Sequence, residues 1–304
     1  MRNVTCQALV NLYADSRFVF MTGDLGFMAL EPLQKAMGHD FVNAGVAEQN
    51  MVSVAAGIAS GGLQCWVYSI APFLYARPFE QIRNDVCLHD FDVKLVGNGG
   101  GYAYGSMGST HHALEDYGAL LTLQNMRIFV PAFSEDVTVL VKKMGSWRGP
   151  VYLRLGRCEK PKDFCLPNYA PWRRLLSGDG DVLIVTGPLV GGFVEIMGQM
   201  DSTHRPELWV LSELPILPSD VPVELIQAII TKQQVCVVEE HVAQGGVGQM
   251  FAHFILSTRL PVQRFLHFHA KGYLSGLYGS QAFHRKECGI DAQGVLEAIR
   301  QPHE

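Results

Sequence analysis

Asn43-Ala-Gly-Val-Ala-Glu-Gln-Asn-Met51 runs directly into Val52-Ser-Val-Ala-Ala-Gly-Ile-Ala-Ser60, a stretch of small residues that reads as a helix. Glu48 stands where extended chain gives way to that helix. A carboxylate in so apolar a setting is unfavourable unless something partners it. The segments on either side decide what the partner is.

Strand-like runs alternate with helical ones in both directions from this point, which predicts α/β architecture with a parallel sheet. Residues 18–21, 65–68, 93–96, 126–130 and 151–155 read as strands, and 79–89 and 134–144 as helices. Ser134 and Asp136 after Pro131 give the second of these helices its start signal. From Glu159 to Arg174 the chain is rich in Pro, Lys and Arg and lacks periodicity. A second α/β unit then begins, with strands at 181–186, 208–211 and 235–239 and helices at 192–200, 221–231 and 249–256. The predicted organisation is two doubly wound domains, 1–160 and 179–304, joined by a linker over 161–178.

The 304 residues suffice for a substantial core, and 48% hydrophobic against 17% charged residues describes a folded chain. A net charge of −5 gives no electrostatic case for nucleic acid or an anionic membrane. Seven cysteines without a Cys-x-x-Cys pair point to reduced thiols rather than a zinc or dithiol site. With no apolar run of membrane-spanning length and no signal-type N-terminus, the expectation is a soluble, cytoplasmic protein.

Two further constellations bear on chemistry. Gly97-Asn-Gly-Gly-Gly-Tyr-Ala-Tyr-Gly-Ser-Met-Gly108 leads into Thr110-His-His-Ala-Leu-Glu-Asp116, directly after the strand at 93–96. Open parallel sheets bind ligands at the carboxyl ends of their strands, and histidines placed there can donate to an oxyanion or carry protons. Tyr68-Ser-Ile-Ala-Pro-Phe73, with Tyr75, Phe79 and Arg83, supplies aromatic faces suited to a flat heterocycle, although such a set is also ordinary core. Weaker signals read as structure. Gly245-Gly-Val-Gly248 suits a strand-to-helix turn better than a phosphate cradle, and His267-Phe-His269 lacks a further metal ligand nearby. Gly178-Asp-Gly-Asp181 opens like a magnesium–diphosphate motif, but no asparagine follows Asn168 to complete it. No metal ligand is assigned to this chain.

Asp24 after the first strand, the Glu48 motif, Phe73 and Phe79 before Glu-Gln-Ile-Arg, and Gly-Ser-Thr-His-His occur in one order along the chain. That order resembles the C-terminal half of transketolase, and is similar in 1-deoxyxylulose-5-phosphate synthase and the beta subunit of 2-oxoacid dehydrogenases. The resemblance implies a thiamine-diphosphate pyrimidine-binding domain followed by a transketolase C-terminal domain. It places Glu48 on N1′ of the aminopyrimidine, favouring the imino tautomer that deprotonates the thiazolium carbon. It puts Phe73 in a stack on the pyrimidine with Phe79 closing the pocket, and Asp24 near the cofactor. His111 falls on the histidine that contacts the substrate oxygen next to the reacting carbon, and Arg157 on a substrate-phosphate arginine.

The resemblance also implies what other chains supply. The diphosphate, with Mg2+ or Ca2+, would be held by a separate N-terminal-type subunit, in an α2β2 assembly that shares the cofactor. Two positions depart from the transketolase pattern. Met107 stands where an acidic residue usually reads sugar hydroxyls, and the place of a second, phosphate-binding histidine falls near Gly99. Methionine cannot accept a hydroxyl hydrogen bond as a carboxylate does, so an unusual ketose or acceptor is expected. The functional expectation is a transferase subunit moving a two-carbon ketol unit from a ketose to an aldehyde. The alternatives are the beta subunit of a 2-oxoacid decarboxylase or dehydrogenase, or a non-catalytic homologue.

Overall fold

In the computed structural model, which describes residues 1–158 and 160–301, the chain folds around two sheets. Residue 159, where the linker-like composition starts, and the last three residues of the second predicted domain lie outside the described residues. The strands are β1 (Val19–Thr22), β2 (Phe41–Asn43), β3 (Cys65–Ile70), β4 (Val93–Asn98), β5 (Arg127–Phe129), β6 (Val151–Leu155), β7 (Trp172–Leu176), β8 (Val182–Thr186), β9 (Glu207–Leu211), β10 (Glu213–Leu214), β11 (Gln234–Val238) and β12 (Arg264–Phe268). The helices are α1 (Arg2–Asp15), α2 (Glu31–Met37), α3 (Glu48–Ser60), α4 (Ala71–Tyr75), α5 (Phe79–Gln81), α6 (Asp116–Leu120), α7 (Ser134–Ser146), α8 (Val190–Met197), α9 (Val223–Lys232), α10 (Val247–Thr258), α11 (Gln281–Cys288) and α12 (Ala292–Arg300).

The first sheet has the order β10-β5-β6-β4-β3-β1-β2 and is parallel apart from the β10–β5 edge. The second has the order β12-β11-β8-β9-β7, with β7 antiparallel on its edge. β6 and β8 are buried along their whole length, as strands covered on both faces must be. β8 is apolar up to its final Thr186 for that reason, and β6 is apolar but for Arg154, which is buried with Asp116.

Three features depart from the sequence reading. The segment expected as a linker contains β7, which pairs with β9 from Trp172 to Leu176. β10 crosses back, so Glu213 and Leu214 extend the first sheet beside Phe129 and Ile128. The helix expected over 79–89 is broken: α5 is one short turn and gives way to a π-helical segment, Ile82–Cys87. One apolar cluster runs from Met51, Val52 and Ala55 through Val67 and Leu95 to Trp172, Ile184 and Leu211, so the two sheets share a continuous core.

The parallel strands of the first sheet deliver their following loops to one edge. Asp24 follows β1, the Glu48 segment follows β2, Phe73 follows β3, the glycine-rich loop follows β4 and Arg157 follows β6. That edge is the carboxyl end of the sheet, where the topology leaves a crevice. Among the described residues no helix is long and apolar enough to cross a membrane.

Candidate active site

Glu48 is the first residue of α3, and the reason for its burial is the periodicity of that helix. The buried residues are Glu48, Met51, Val52, Ala55, Ala56 and Ala59, a single stripe at helical spacing. Glu48 begins the stripe that docks α3 on the sheet, and only 5% of it is exposed. Its position in the first turn also sets its charge against the positive end of the helix dipole. The carboxylate faces a cleft of about 380 Å³ lined by Val46, Ala47, Gln49, Asn50 and Arg77.

Within the chain, the partner of Glu48 is Arg77. Its Nη1 donates to Glu48 Oε1 at 2.7 Å, and the guanidinium lies 3.9 Å over the ring of Phe73. The ring of Phe73 in turn meets that of His111 edge-on, at 5.2 Å between centroids. His111 lies 5.8 Å from the ring of Tyr104. Tyr104 and Arg157 line one cavity of about 370 Å³ together with Arg2, Asn98 and Gly99. Glu48, Phe73, His111 and Arg157 therefore sit along one continuous rim, with Arg77 and Tyr104 as the links between them.

The other expected site residues fall beside this rim or away from it. Asp24 accepts from Asn43 Nδ2 at 2.9 Å, while its backbone N–H donates to Asn43 Oδ1 at 3.0 Å. Its carboxylate ties the β1 loop to the β2 loop that leads to Glu48. Phe79 packs on the shared apolar core, and among the described residues it makes no ring contact with Phe73. The side chain that lies over the Phe73 ring is Arg77. Met107 lies on a 3-10 turn, Gly105–Met107, with 55% of its surface exposed.

The histidine loop owes its shape to contacts with the second half of the chain. Gly101 and Ala113 exchange backbone hydrogen bonds that close the loop on itself. A side chain at Gly101 would strike the carboxylate of Glu240, which already accepts from the Tyr102 backbone at 2.6 Å and from Arg285 at 2.7 Å. His112 is buried. Its Nε2 donates to the Gly105 carbonyl and its Nδ1 accepts from Tyr273, each at 2.8 Å. Burial lowers the pKa of His112, which keeps the ring neutral and structural. Of the two adjacent histidines, His111 is the one left free to meet a ligand; its Nδ1 lies 2.9 Å from Thr110 Oγ1.

Behind the rim, Arg154 on β6 is buried with Asp116, donating to it at 2.8 Å and to the carbonyls of Ala113 and Glu240 at 2.8 and 2.9 Å. Glu239 fills the start of α10. It accepts from the backbone of Val247 and Gly248 at 2.8 and 2.9 Å, from His267 at 2.6 Å and from the hydroxyl of Tyr117. Burial works against its ionisation, but these donors outweigh it and hold the carboxyl below its usual pKa. The glycines at 245–248 thus form a turn whose free N–H groups receive an internal carboxylate. His267 is engaged by the same group, and no metal-binding cluster occurs among the described residues.

The Transketolase, pyrimidine binding domain family matches residues 1–161. One subunit of the apulose-4-phosphate transketolase of Actinobacillus succinogenes is 32% identical over 88% of this chain and 86% of its own. A solved split gene transketolase, described as an inactive beta4 tetramer, superposes with a TM-score of 0.81 at 27% identity, covering 98% of this chain and 96% of that one. The Campylobacter jejuni transketolase shares the fold, with a TM-score of 0.76 at 15% identity over 98% of this chain and 46% of that chain. The chain belongs to the transketolase family.

The residues of the rim fit the aminopyrimidine of thiamine diphosphate on one observation. The guanidinium of Arg77 is itself a flat group with N–H donors, and it meets the Glu48 carboxylate and the Phe73 face at once. A flat ring bearing a hydrogen-bonding nitrogen needs the same two contacts. Sequence reasoning named Glu48, Phe73 and His111, which the structure brings to one rim, but passed over Arg77, Tyr104 and Asn43. Arg77 lies four residues after Phe73, in the turn that follows α4, and from there reaches back over the Phe73 ring.

Proposed function

We propose that this chain is the pyrimidine-binding half of a two-chain, thiamine-diphosphate-dependent transketolase that moves a two-carbon ketol unit from a ketose to an aldehyde. The observation that carries the reading is the single rim joining Glu48, Phe73 and His111, since folding alone asks for no such alignment. Glu48 holds the ring nitrogen of the aminopyrimidine, Phe73 gives it a stacking face, and Asp24 braces the loop beside it. Bound thiamine diphosphate supplies a nucleophilic carbon that carries the two-carbon fragment between substrates. His111 donates a hydrogen bond to the substrate oxygen next to the reacting carbon, and Arg157 receives an anionic group of the substrate. Met107 borders the substrate's hydroxylated chain.

The diphosphate, with Mg2+ or Ca2+, is held by a separate polypeptide, and the two chains assemble as α2β2. Relatives named as single subunits of a transketolase support this partner dependence. The substrate class is a sugar phosphate of the kind that names those relatives, apulose 4-phosphate. The enzyme works in the cytoplasm.

The test combines the chain with a diphosphate-binding partner, thiamine diphosphate and Mg2+, and follows ketose formation from hydroxypyruvate and an aldehyde. Glu48→Gln is expected to abolish turnover and leave the assembly intact. Unchanged activity in that variant removes the assignment, and oxidative or simple decarboxylation of 2-oxoacids in place of ketol transfer redirects it to the 2-oxoacid class.

A further inference from the structure

Tyr104 occupies space that its neighbours reserve for it. Gly99 has a φ of +79°, and a β-carbon there would collide with the ring of Tyr104, so this ring stands in place of any side chain at 99. Asn98 Nδ2 donates to the phenolic oxygen at 2.9 Å and fixes its direction. With its oxygen already accepting from Asn98, the phenol keeps its own proton free for another acceptor. Burial raises the pKa of this hydroxyl above its ordinary value, so the proton is retained at neutral pH.

The surroundings define the acceptor. On one side the ring is 5.8 Å from that of His111, at the reacting end of the rim. On the other, the cavity of about 370 Å³ is walled by the guanidinium-bearing Arg2 and Arg157, both without a hydrogen-bond or ion-pair partner among the described residues. Two arginines lining one cavity select an anionic oxygen, and the neutral O–H of Tyr104 on the same wall adds a further donor.

We propose that Tyr104 is a specificity-determining residue, whose hydroxyl, held by Asn98, donates to the phosphate of a phosphorylated sugar and sets its distance from His111. The inference rests on the proposed transketolase function and names the group that reads its substrate. Gly99 is thereby explained by the side chain that needs its space. A phenol reading the phosphate beside Arg157 takes the part of the histidine that the family pattern places near Gly99.

The cavity is built by this chain, so binding is read first on the purified chain by isothermal titration with ribose 5-phosphate and with ribose. Wild type is expected to bind ribose 5-phosphate and to discriminate against ribose. Tyr104→Phe keeps the ring and removes one donor to a charged acceptor, so its affinity for ribose 5-phosphate is expected to fall about tenfold, while the melting temperature drops only by what the loss of the Asn98 hydrogen bond costs. Arg157→Ala is expected to lose the discrimination altogether. In the assembled complex, Tyr104→Phe should raise KM for glyceraldehyde 3-phosphate by a similar factor, and by clearly more than it changes KM for the unphosphorylated glycolaldehyde. No binding of ribose 5-phosphate by wild type, equal binding by Tyr104→Phe, or equal loss for ribose and its phosphate each overturns the proposal. Failure of the complex to turn over any donor is a separate result, one that counts against the transketolase reading and leaves the binding comparison to decide the role of Tyr104.

Discussion

Arg77 reaches Glu48 at 2.7 Å from the far side of the aromatic segment, although 45% of its side chain is exposed and the carboxylate is almost fully covered. Removing the arginine leaves a buried carboxylate without its donor, which is more damaging than removing both partners. A double-mutant cycle of Glu48→Gln and Arg77→Gln, read by urea unfolding, should therefore return a coupling energy of about 1 to 3 kcal/mol. Additive effects of the two substitutions would mean that the contact contributes nothing to the folded chain.

Much of this arrangement was legible in the sequence because it follows from local rules. Residues 151–155 and 93–96 are mainly apolar runs of strand length, each carrying one buried charge (Arg154, Lys94), and a parallel sheet forces the loops after them to one edge. Glu48 stood out as an acid heading an apolar helix, and that conflict between residue type and setting is what marks a site. What stayed hidden depends on contacts distant in sequence. β10 is two residues long and exists only through its pairing with Phe129 and Ile128. β7 is an edge strand carrying Arg173 and Arg174, whose charges disguised it as a linker; Arg173 is in fact buried, donating to Asp136 at 2.9 Å. Arg77 gave no signal in the sequence because its partner lies 29 residues away.

Two buried histidines make stability depend on pH. His241 stacks on Tyr117 at 3.8 Å, its Nδ1 donates to the Val242 carbonyl at 2.7 Å and its Nε2 accepts from the Gly118 N–H at 3.1 Å. That pattern requires a neutral ring, and burial lowers the pKa of His241 as it does that of His112. In the unfolded chain both return to about 6.5. Above that value neither state takes up a proton at these sites and they contribute no pH dependence. Below it the unfolded chain binds protons that the folded chain refuses, so stability falls as the solution is acidified. Melting temperatures from pH 7.5 to 5.5 should drop more steeply for wild type than for His241→Gln, with a slope difference of up to about 1.4 kcal/mol per pH unit. Parallel curves would show that His241 titrates alike in both states.

Arg154 joins the two halves behind the rim, and its effect on stability should exceed that of any surface ion pair. Both it and Asp116 are buried, and the same carboxylate accepts from Tyr152 at 2.9 Å. Arg154→Met leaves the buried Asp116 short of its charged donor and the Glu240 carbonyl without the guanidinium N–H it accepts from. A loss of about 3 to 5 kcal/mol in unfolding free energy is expected, measured by guanidinium denaturation. Arg17→Met, which removes an exposed partner of Asp40, should change stability by less than about 1 kcal/mol. Comparable losses in the two variants would contradict the structural role assigned to Arg154.

Met107 offers the sharpest test of how the substrate is read. It is exposed on a short turn four residues before His111, so a substitution there should shift stability by no more than about 0.5 kcal/mol. The thioether accepts hydrogen bonds weakly, whereas an aspartate at the same place presents two strong acceptors to the hydroxyls of an extended ketose. Hydrogen bonds to a charged group contribute about 1.5 to 3 kcal/mol, which corresponds to at least tenfold in kcat/KM when they form in the transition state. Met107→Asp in the assembled complex should therefore raise kcat/KM for xylulose 5-phosphate about tenfold or more, while hydroxypyruvate, which has no such hydroxyl chain, responds little. Equal response to both donors would place position 107 outside the substrate's reach, and the preference for an unusual sugar would then have to come from the cavity beside Tyr104.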